Sequence, residues 1–447
     1  MTLLTKRTIP LMITFLISFM SNFAYASEYD LTPSNIIAES AVLINQDSGQ
    51  VIFDKNMNEP MYPASTTKVL TAIIILESHD LNEIVTIDPK SPYAGGSHIA
   101  LEIGEQLTVE QLLYALMITS ANDAAEALAV FHSGSIEAFA QVMNEKAAEM
   151  GAINSNFVNP HGLPNPDHLT TAYDLAMIGR YAMNNETFRK IVKTVRYEIP
   201  PTNLKGETRY LNSTNSFYQG MQGSNTLIDI RGNRVPIAYE YVTGIKRGYT
   251  DEAQYCLVTS AENGDKRYVA VVLRSTPVGM YSDTRQLIDL GLFGLVTHTL
   301  HEANSVIETI SMNNTRKTLI PAITTARVVV DLPEGVMPDQ LEKKINILPN
   351  IELPVKKSET LGSLSYYYGD TLLTSVPLVS QDDFAGEDLV NNLTQFFGSE
   401  KRPLFSPAWF LNTFARLLIA ILLWRTIMTA IRLKQLKKRQ KKRTQRV

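Results

Sequence analysis

Tyr62-Pro63-Ala64-Ser65-Thr66-Thr67-Lys68, running straight into Val69-Leu70-Thr71-Ala72-Ile73-Ile74-Ile75-Leu76-Glu77, is the stretch on which the reading of this chain turns. Pro63 followed by a run rich in leucine and isoleucine predicts a helix over Thr66–Glu77. Ser65 then stands at the helix start, where partial positive charge stabilises a developing oxyanion. Lys68 lies one turn later on the same face, within reach of the Ser65 hydroxyl. A serine hydroxyl is a poor nucleophile until a neighbouring base takes its proton. A lysine takes that proton when burial and nearby cations lower its pKa. By itself Ser-x-x-Lys is weak evidence, because a capping serine followed by a solvated lysine has the same spelling.

The flanking sequence supplies a scaffold. Upstream, Ala41–Asn45 and Gln50–Phe53 read as a hairpin turning through Asp47-Ser48-Gly49. Downstream, Thr108 to about Met183 has apolar residues at three- and four-residue spacing and reads as mainly helical, with a loop at Asn159-Pro160-His161-Gly162-Leu163. Strand signals return after about Ile199. The clearest is a hairpin of Gln254–Ala261 and Lys266–Leu273 around Glu262-Asn263-Gly264-Asp265. Strands, an inserted helical block, then strands again predict an α/β (α+β) fold with a helical subdomain, closing near Phe293. Val328–Val330, Ile345–Ile347 and Leu364–Tyr367 are short strand candidates of a small all-β second domain with no catalytic constellation.

Two further motifs fall on this scaffold. Ser120-Ala121-Asn122 breaks the helical block after the stripe Leu112, Leu113, Leu116 and Met117. As plain structure these are caps; as chemistry, Ser120 relays a proton to a leaving amine and Asn122 holds Lys68 and a substrate amide. Lys246-Arg247-Gly248 falls on the strand before the Asn-Gly hairpin, where a cation and a glycine at a sheet edge let a substrate backbone lie alongside. Taken alone, it is an ordinary basic strand end.

The two ends of the 447-residue chain differ from its middle. Lys6 and Arg7, the apolar run Ile9–Met20 and Ala24-Tyr25-Ala26 read as a signal peptide over 1–26, cut after Ala26. The run is short for a retained span. Residues 404–431 are mostly apolar, with Trp409 and Trp424 placed as interfacial anchors, and the tail 432–447 carries nine basic residues and no acidic ones. Taking those nine charges from the formal net charge of −4 leaves −13 on an acidic body, which argues against nucleic-acid binding. A basic tail beside an apolar segment points to a membrane anchor with the tail inside. Arg416 complicates a span, costing roughly 2.5–3.5 kcal/mol at depth, so a surface-lying helix is the alternative. The single cysteine, Cys256, excludes an intramolecular disulfide and reads as a core residue in Tyr255-Cys256-Leu257-Val258. The seven histidines show no zinc-ligand spacing, and no phosphate loop is evident, so neither metal nor cofactor is expected.

Together the three motifs resemble the low-molecular-mass penicillin-binding proteins, in particular the serine-type D-alanyl-D-alanine carboxypeptidases of peptidase family S11 with a β-rich C-terminal domain. Tyr62–Lys68, Thr119–Ala125, Asn159–Leu163, Thr170–Asp174 and Gly248–Asp251 all look like that family, as does the order of segments along the chain. The resemblance implies a β-lactamase/transpeptidase-like catalytic domain over 27–296, a C-terminal β-sandwich over 300–392, a linker over 393–403 and the anchor over 404–431. It implies Ser65 as nucleophile, Lys68 as general base, Ser120 as proton relay and Asn122 beside them. Lys246, Arg247, Gly248 and Tyr249 would bind substrate, with the Ser65 and Tyr249 amides holding the oxyanion. The implied partners are peptidoglycan stem peptides and β-lactams, met outside the cell membrane. Two positions depart from the family. Arg247 replaces the threonine of Lys-Thr-Gly, whose hydroxyl bonds the substrate carboxylate, and Gln254 stands where glycine is usual. Arg247 therefore leaves open a weak or inactive peptidoglycan-binding relative, and Arg274 is a second candidate for the carboxylate. A β-lactamase ranks last, because soluble serine β-lactamases lack the β domain and anchor.

Overall fold

The hairpin expected around Asp47–Gly49 forms between β1 (Ser40–Asn45) and β2 (Val51–Lys55), paired antiparallel. The structure, a computed structural model, describes residues 29, 31–218, 226–312, 318–385, 413–429 and 432. The expected signal peptide, the linker 393–403, the start of the apolar segment and the tail beyond Arg432 lie outside the described residues. The helix expected from Thr66 begins later: Ala64–Thr67 is a 3-10 turn, and α1 runs Lys68–Ser78. A short ribbon of β3 (Ile84–Thr86) and β4 (Gln106–Thr108) leads into the helical block. This comprises α2 (Val109–Ile118), α3 (Asn122–Ser133), α4 (Ile136–Glu149), α5 (Ala172–Ala182) and α6 (Glu186–Lys193). Sequence spacing located the block well, and a Thr108 capping box starts α2.

Two small hairpins follow, β5 (Arg196–Ile199) with β6 (Arg209–Asn212) and β7 (Leu227–Ile230) with β8 (Asn233–Pro236). The long strands β9 (Val242–Thr250), β10 (Gln254–Asn263) and β11 (Lys266–Ser275) then return to β1. The sheet order is β2-β1-β11-β10-β9, antiparallel throughout, which leaves β9 at an edge. Both faces of this sheet are covered. Val258, Val269 and Val271 belong to a core shared with α1, α2, α3 and α5, while Leu257, Ala270 and Val272 pack with α7 (Gly279–Gly294) in a second core. β10 and β11 therefore read as nearly continuous apolar runs rather than alternating ones. Cys256 is fully buried, and burial pushes its thiol up to about 12, as befits a core residue.

After α7 the chain enters β12 (Leu295–His301), which pairs with β15 (Val328–Pro333). β13 (Val306–Ser311), β14 (Leu319–Thr324), β16 (Glu342–Ile347), β17 (Thr360–Tyr368) and β18 (Thr371–Ser380) form a five-stranded antiparallel sheet in the order β13-β14-β18-β17-β16. The expected strand segments all fall in this part. These strands and the catalytic part belong to one compact unit, and Glu352–Lys356 with the described residues from Asp383 onward belong to another. In the second unit Val355 bridges Phe384, and residues 413–429 are helical. Among the described residues no helix is long and apolar enough to cross a membrane.

Asp331 ties the β12–β15 pair to the β1–β2 hairpin. Its carboxylate accepts from Asn45 Nδ2 at 2.6 Å and Thr297 Oγ1 at 2.5 Å, and its backbone exchanges two 2.8 Å bonds with the Gln50 amide. All but Thr297 are buried. Replacing the carboxylate by a methyl leaves buried donors without acceptors, so Asp331→Ala is expected to cost roughly 2–4 kcal/mol in urea unfolding. A loss under about 0.5 kcal/mol would show that water takes over these bonds.

Candidate active site

Lys68 is the first residue of α1, and its side chain is completely buried. Its Nζ lies 3.0 Å from Ser65 Oγ, 2.6 Å from Asn122 Oδ1 and 2.8 Å from the His161 carbonyl. Three segments far apart in sequence thus meet at one amine. Ser65 itself sits in the 3-10 turn rather than in the helix proper, and the Lys68 amide bonds back to Ser65 O. The turn is fixed from outside by Thr67 Oγ1, which donates to Ala64 O and takes the His168 Nε2–H at 2.9 Å. His168 Nδ1 accepts from the Val158 amide, so the ring is held in one neutral tautomer, and burial pushes it down to about 3.

Ser120 and Asn122 occupy the break between α2 and α3. Ser120 adopts the left-handed region, φ 64°, an uncommon conformation for a serine. The Ala121 and Asn122 amides secure it by bonding Ala115 O and Ser97 O. Asn122 Nδ2 donates to Gly95 O at 2.5 Å, which turns its oxygen toward Lys68. Next to it, buried Asp123 accepts from the amides of Ile99 and Leu101 and pins the loop that passes over α3.

The loop Asn159–Leu163 closes the site from the other side. Asn159 Oδ1 accepts from the His161 and Gly162 amides, and Thr71 Oγ1 donates to Pro160 O. Gly162 has φ +87°, and a Cβ there would stand 1.7 Å from Ala64 O, so only glycine allows this approach to the serine turn. The sequence marks this loop but gives no hint that its carbonyl holds Lys68. Nor does it single out His168 or Asp123, each an ordinary polar residue in its local pattern.

β9 forms the remaining wall. A Cβ on Gly248 would lie 2.7 Å from the Ser65 amide nitrogen, so the strand backbone runs directly against the nucleophile turn. Strand alternation puts Lys246 on the same face as Gly248 and Arg247 on the opposite one. Lys246 is buried and its Nζ donates to Arg247 O at 3.1 Å. Arg247 is half-buried, and exposed Tyr249 bonds Asp251 through its hydroxyl at 2.7 Å. Gln254, the second departure, closes the β9–β10 turn with φ 54°, the left-handed backbone that explains a preference for glycine there. Arg274 does not join the group around Lys68. It pairs with Glu39 at 3.3 Å and lines a cavity of about 480 Å³ together with Lys55, Glu59 and Glu252.

Electrostatics complete the arrangement. Burial, then the charge of Lys246, holds the Lys68 amine well below the ordinary lysine range, with Asp123 pulling weakly the other way. Burial, then Arg247, pushes Lys246 down to about 7. A neutral amine has two N–H donors and one lone pair. Asn122 Oδ1 and the His161 carbonyl are acceptors only and take both donors, which leaves the lone pair for the Ser65 O–H. An ammonium would instead donate to all three neighbours. Among the described residues no group of three His, Cys, Asp or Glu side chains is placed to hold a metal.

A serine on a tight turn, faced by a buried lysine whose amine is held well below the ordinary lysine range and walled by an edge strand, is the geometry of a Ser–Lys acyl-transfer centre. Comparison with known proteins agrees. Residues 27–276 match the D-alanyl-D-alanine carboxypeptidase model of peptidase family S11, and residues 296–385 match the C-terminal domain of penicillin-binding protein 5. The D-alanyl-D-alanine carboxypeptidase DacF of Bacillus subtilis is 33% identical over 367 residues, covering 81% of this chain and 89% of DacF. The structure of penicillin-binding protein 5 from Haemophilus influenzae aligns with TM-score 0.62 at 24% identity, over 80% of this chain and all of that one. The Streptomyces K15 DD-transpeptidase aligns with TM-score 0.51 at 30% identity, over 57% of this chain and 97% of its own. The chain belongs to the serine-type D-alanyl-D-alanine carboxypeptidase family and carries the C-terminal β domain of its low-molecular-mass penicillin-binding members.

Two measurements probe this geometry. Acylation by a penicillin, followed from pH 5 to 10, should rise with pH as Lys68 loses its proton, with the limb well below the ordinary lysine range near 10.5. A limb at or above pH 10 would rule out a neutral lysine base. Gly248→Ala pushes a methyl into the Ser65 amide and should slow acylation about 100-fold in a protein that still melts cooperatively.

Proposed function

We propose that this protein removes the terminal D-alanine from peptidoglycan stem peptides through an acyl-enzyme on Ser65, and that penicillins acylate the same serine. The contact that carries the reading is the 3.0 Å approach of buried Lys68 to Ser65 Oγ, with both other neighbours of the amine being acceptors. Lys68 takes the Ser65 proton as the oxygen attacks the carbonyl between the two D-alanines. The Ser65 and Tyr249 amides hold the oxyanion. The C–N bond then breaks, and Ser120 passes a proton to the departing D-alanine amine. Water hydrolyses the remaining ester and restores the Ser65 hydroxyl.

Lys246 and Arg247 supply the positive field for the substrate's terminal carboxylate. Arg247 leaves β9 on the face opposite Gly248, so its bulk is not inserted between the strand and the Ser65 turn. To reach a carboxylate beside Gly248 the guanidinium has to fold back around the open edge of β9, where it offers two bonds in place of the one a threonine offers. That supports an active enzyme over an inactive relative. The domain reading places the catalytic part at 27–296 and the β domain at 300–392. Residues 1–26 would export the protein, and 404–431 with the basic tail 432–447 would hold it at the outer face of the cell membrane. Support for that placement comes from the apolar run, its flanking tryptophans and the nine tail cations.

D-Alanine release from a peptide ending in D-Ala-D-Ala should be present in the wild type and absent in Ser65→Ala. Arg247→Ala should lower kcat/KM roughly 10- to 150-fold, the loss of a charged hydrogen bond. Release that appears only after Arg247→Thr would favour the inactive-relative reading. Truncation after Ser399 should free the protein from the membrane fraction, and retention there would refute the C-terminal anchor.

A further inference from the structure

Lys68 is held by two carbonyl oxygens, and the second of these has its own support. The His161 ring is nearly enclosed, and both its nitrogens are engaged. Nδ1 lies 3.1 Å from the Leu163 amide, which can only donate, so Nδ1 must be an acceptor. Nε2 therefore carries the proton and donates it to Glu126 Oε1 at 3.1 Å. Glu126 lies on α3 four residues after Asn122, so the two project from one face of the helix. One helix thus reaches the same amine twice, directly through Asn122 and indirectly through Glu126, the His161 ring and the His161 carbonyl.

We propose that Glu126 is a positioning residue for acylation: as hydrogen-bond acceptor it fixes the Nε2–H tautomer of His161, and through it the carbonyl that receives one N–H of Lys68. The inference rests on the Ser65–Lys68 reading above. Without an acceptor at position 126, the Nε2 proton is buried without a partner. The ring then favours Nδ1–H, which sets donor against donor at the Leu163 amide. Either the ring turns or the loop shifts, and the carbonyl three bonds from the ring moves with it. Lys68 then keeps one fixed acceptor instead of two, and its lone pair is no longer confined to the direction of Ser65 Oγ. Burial holds the His161 ring below the ordinary histidine range against the opposing pull of Glu126, and the nearby Lys68 adds to the lowering. The carboxylate's role is thus to accept, not to charge the ring.

The test is the rate at which a fluorescent penicillin acylates the full-length protein, resolved into a saturation constant and a limiting rate constant. Glu126→Leu should lower the limiting rate constant at least about tenfold, with the saturation constant changed less than about twofold. Glu126→Gln retains an acceptor oxygen and should stay within about threefold of wild type. Wild-type acylation in Glu126→Leu, with or without a lower melting temperature, reduces the contact to a structural hydrogen bond and overturns the proposal. So does an equal loss in Glu126→Gln and Glu126→Leu, which would make the charge the active property. Should Glu126→Leu not fold, the nitrogen-15 spectrum of the wild-type histidines decides: an Nε2–H tautomer for His161 is expected, and Nδ1–H overturns the idea. Label surviving in Ser65→Ala would sink the Ser65–Lys68 reading itself, which is a different outcome from any of these.

Discussion

An amine buried away from water is what the catalytic half is arranged around. Lys68 has no exposed surface, and a second buried lysine, Lys246, raises the cost of charging it. Burial favours the neutral form, and a neutral amine is both a base and a fussy neighbour. It has two protons to give and one lone pair to offer. Asn122 and the His161 carbonyl absorb the protons, and Ser65 is what remains. The chemistry follows from desolvation and donor counting, with no exceptional group needed.

That constraint accounts for much of the surrounding architecture. Bringing Ser65, Asn122 and His161 to one point requires a turn, a helix start and a loop to converge, and each is pinned by bonds of its own. Gly162 lets the loop touch the Ala64 carbonyl, and Gly248 lets β9 touch the Ser65 amide. Ser120 accepts an unfavourable backbone because the two amides that follow it are satisfied elsewhere. The antiparallel sheet supplies rigidity: β9 is an edge strand, open to a peptide on one side and braced by β10 on the other. Edge strands recognise peptides through their own unpaired backbone groups.

Arg247 stands next to the working face of the sheet but not on it. Lys246 and Gly248 face the nucleophile turn, and a Cβ on Gly248 would strike the Ser65 amide. Position 247 leaves the strand the other way, so a longer side chain there does not displace the turn. Its charge also reaches Lys246, contributing to the depression of that lysine. The β domain contributes nothing to the group around Lys68. Its Asp331 is buried against the β1–β2 turn, at Asn45 and Gln50, which couples the domains through the far end of the same hairpin.

The sequence alone determined the fold class and the β1–β2 and β10–β11 hairpins, and it singled out Ser65, Lys68 and Asn122, which the structure brings together at one amine. It could do so because apolar periodicity, Asn-Gly turns and short motifs are local signals. It placed the α1 start too early, since a 3-10 turn and a helix differ by one hydrogen-bond step that no residue type announces. It passed over Glu126, Asp123 and His168, and it read His161 as loop alone, because their roles depend on partners tens of residues away. Only tertiary structure decided that Lys68 is buried and that Lys246 lies close enough to oppose its charge. It alone decided that Arg274 pairs with Glu39. A pKa is set by what surrounds a group in space, and sequence fixes only what precedes and follows it.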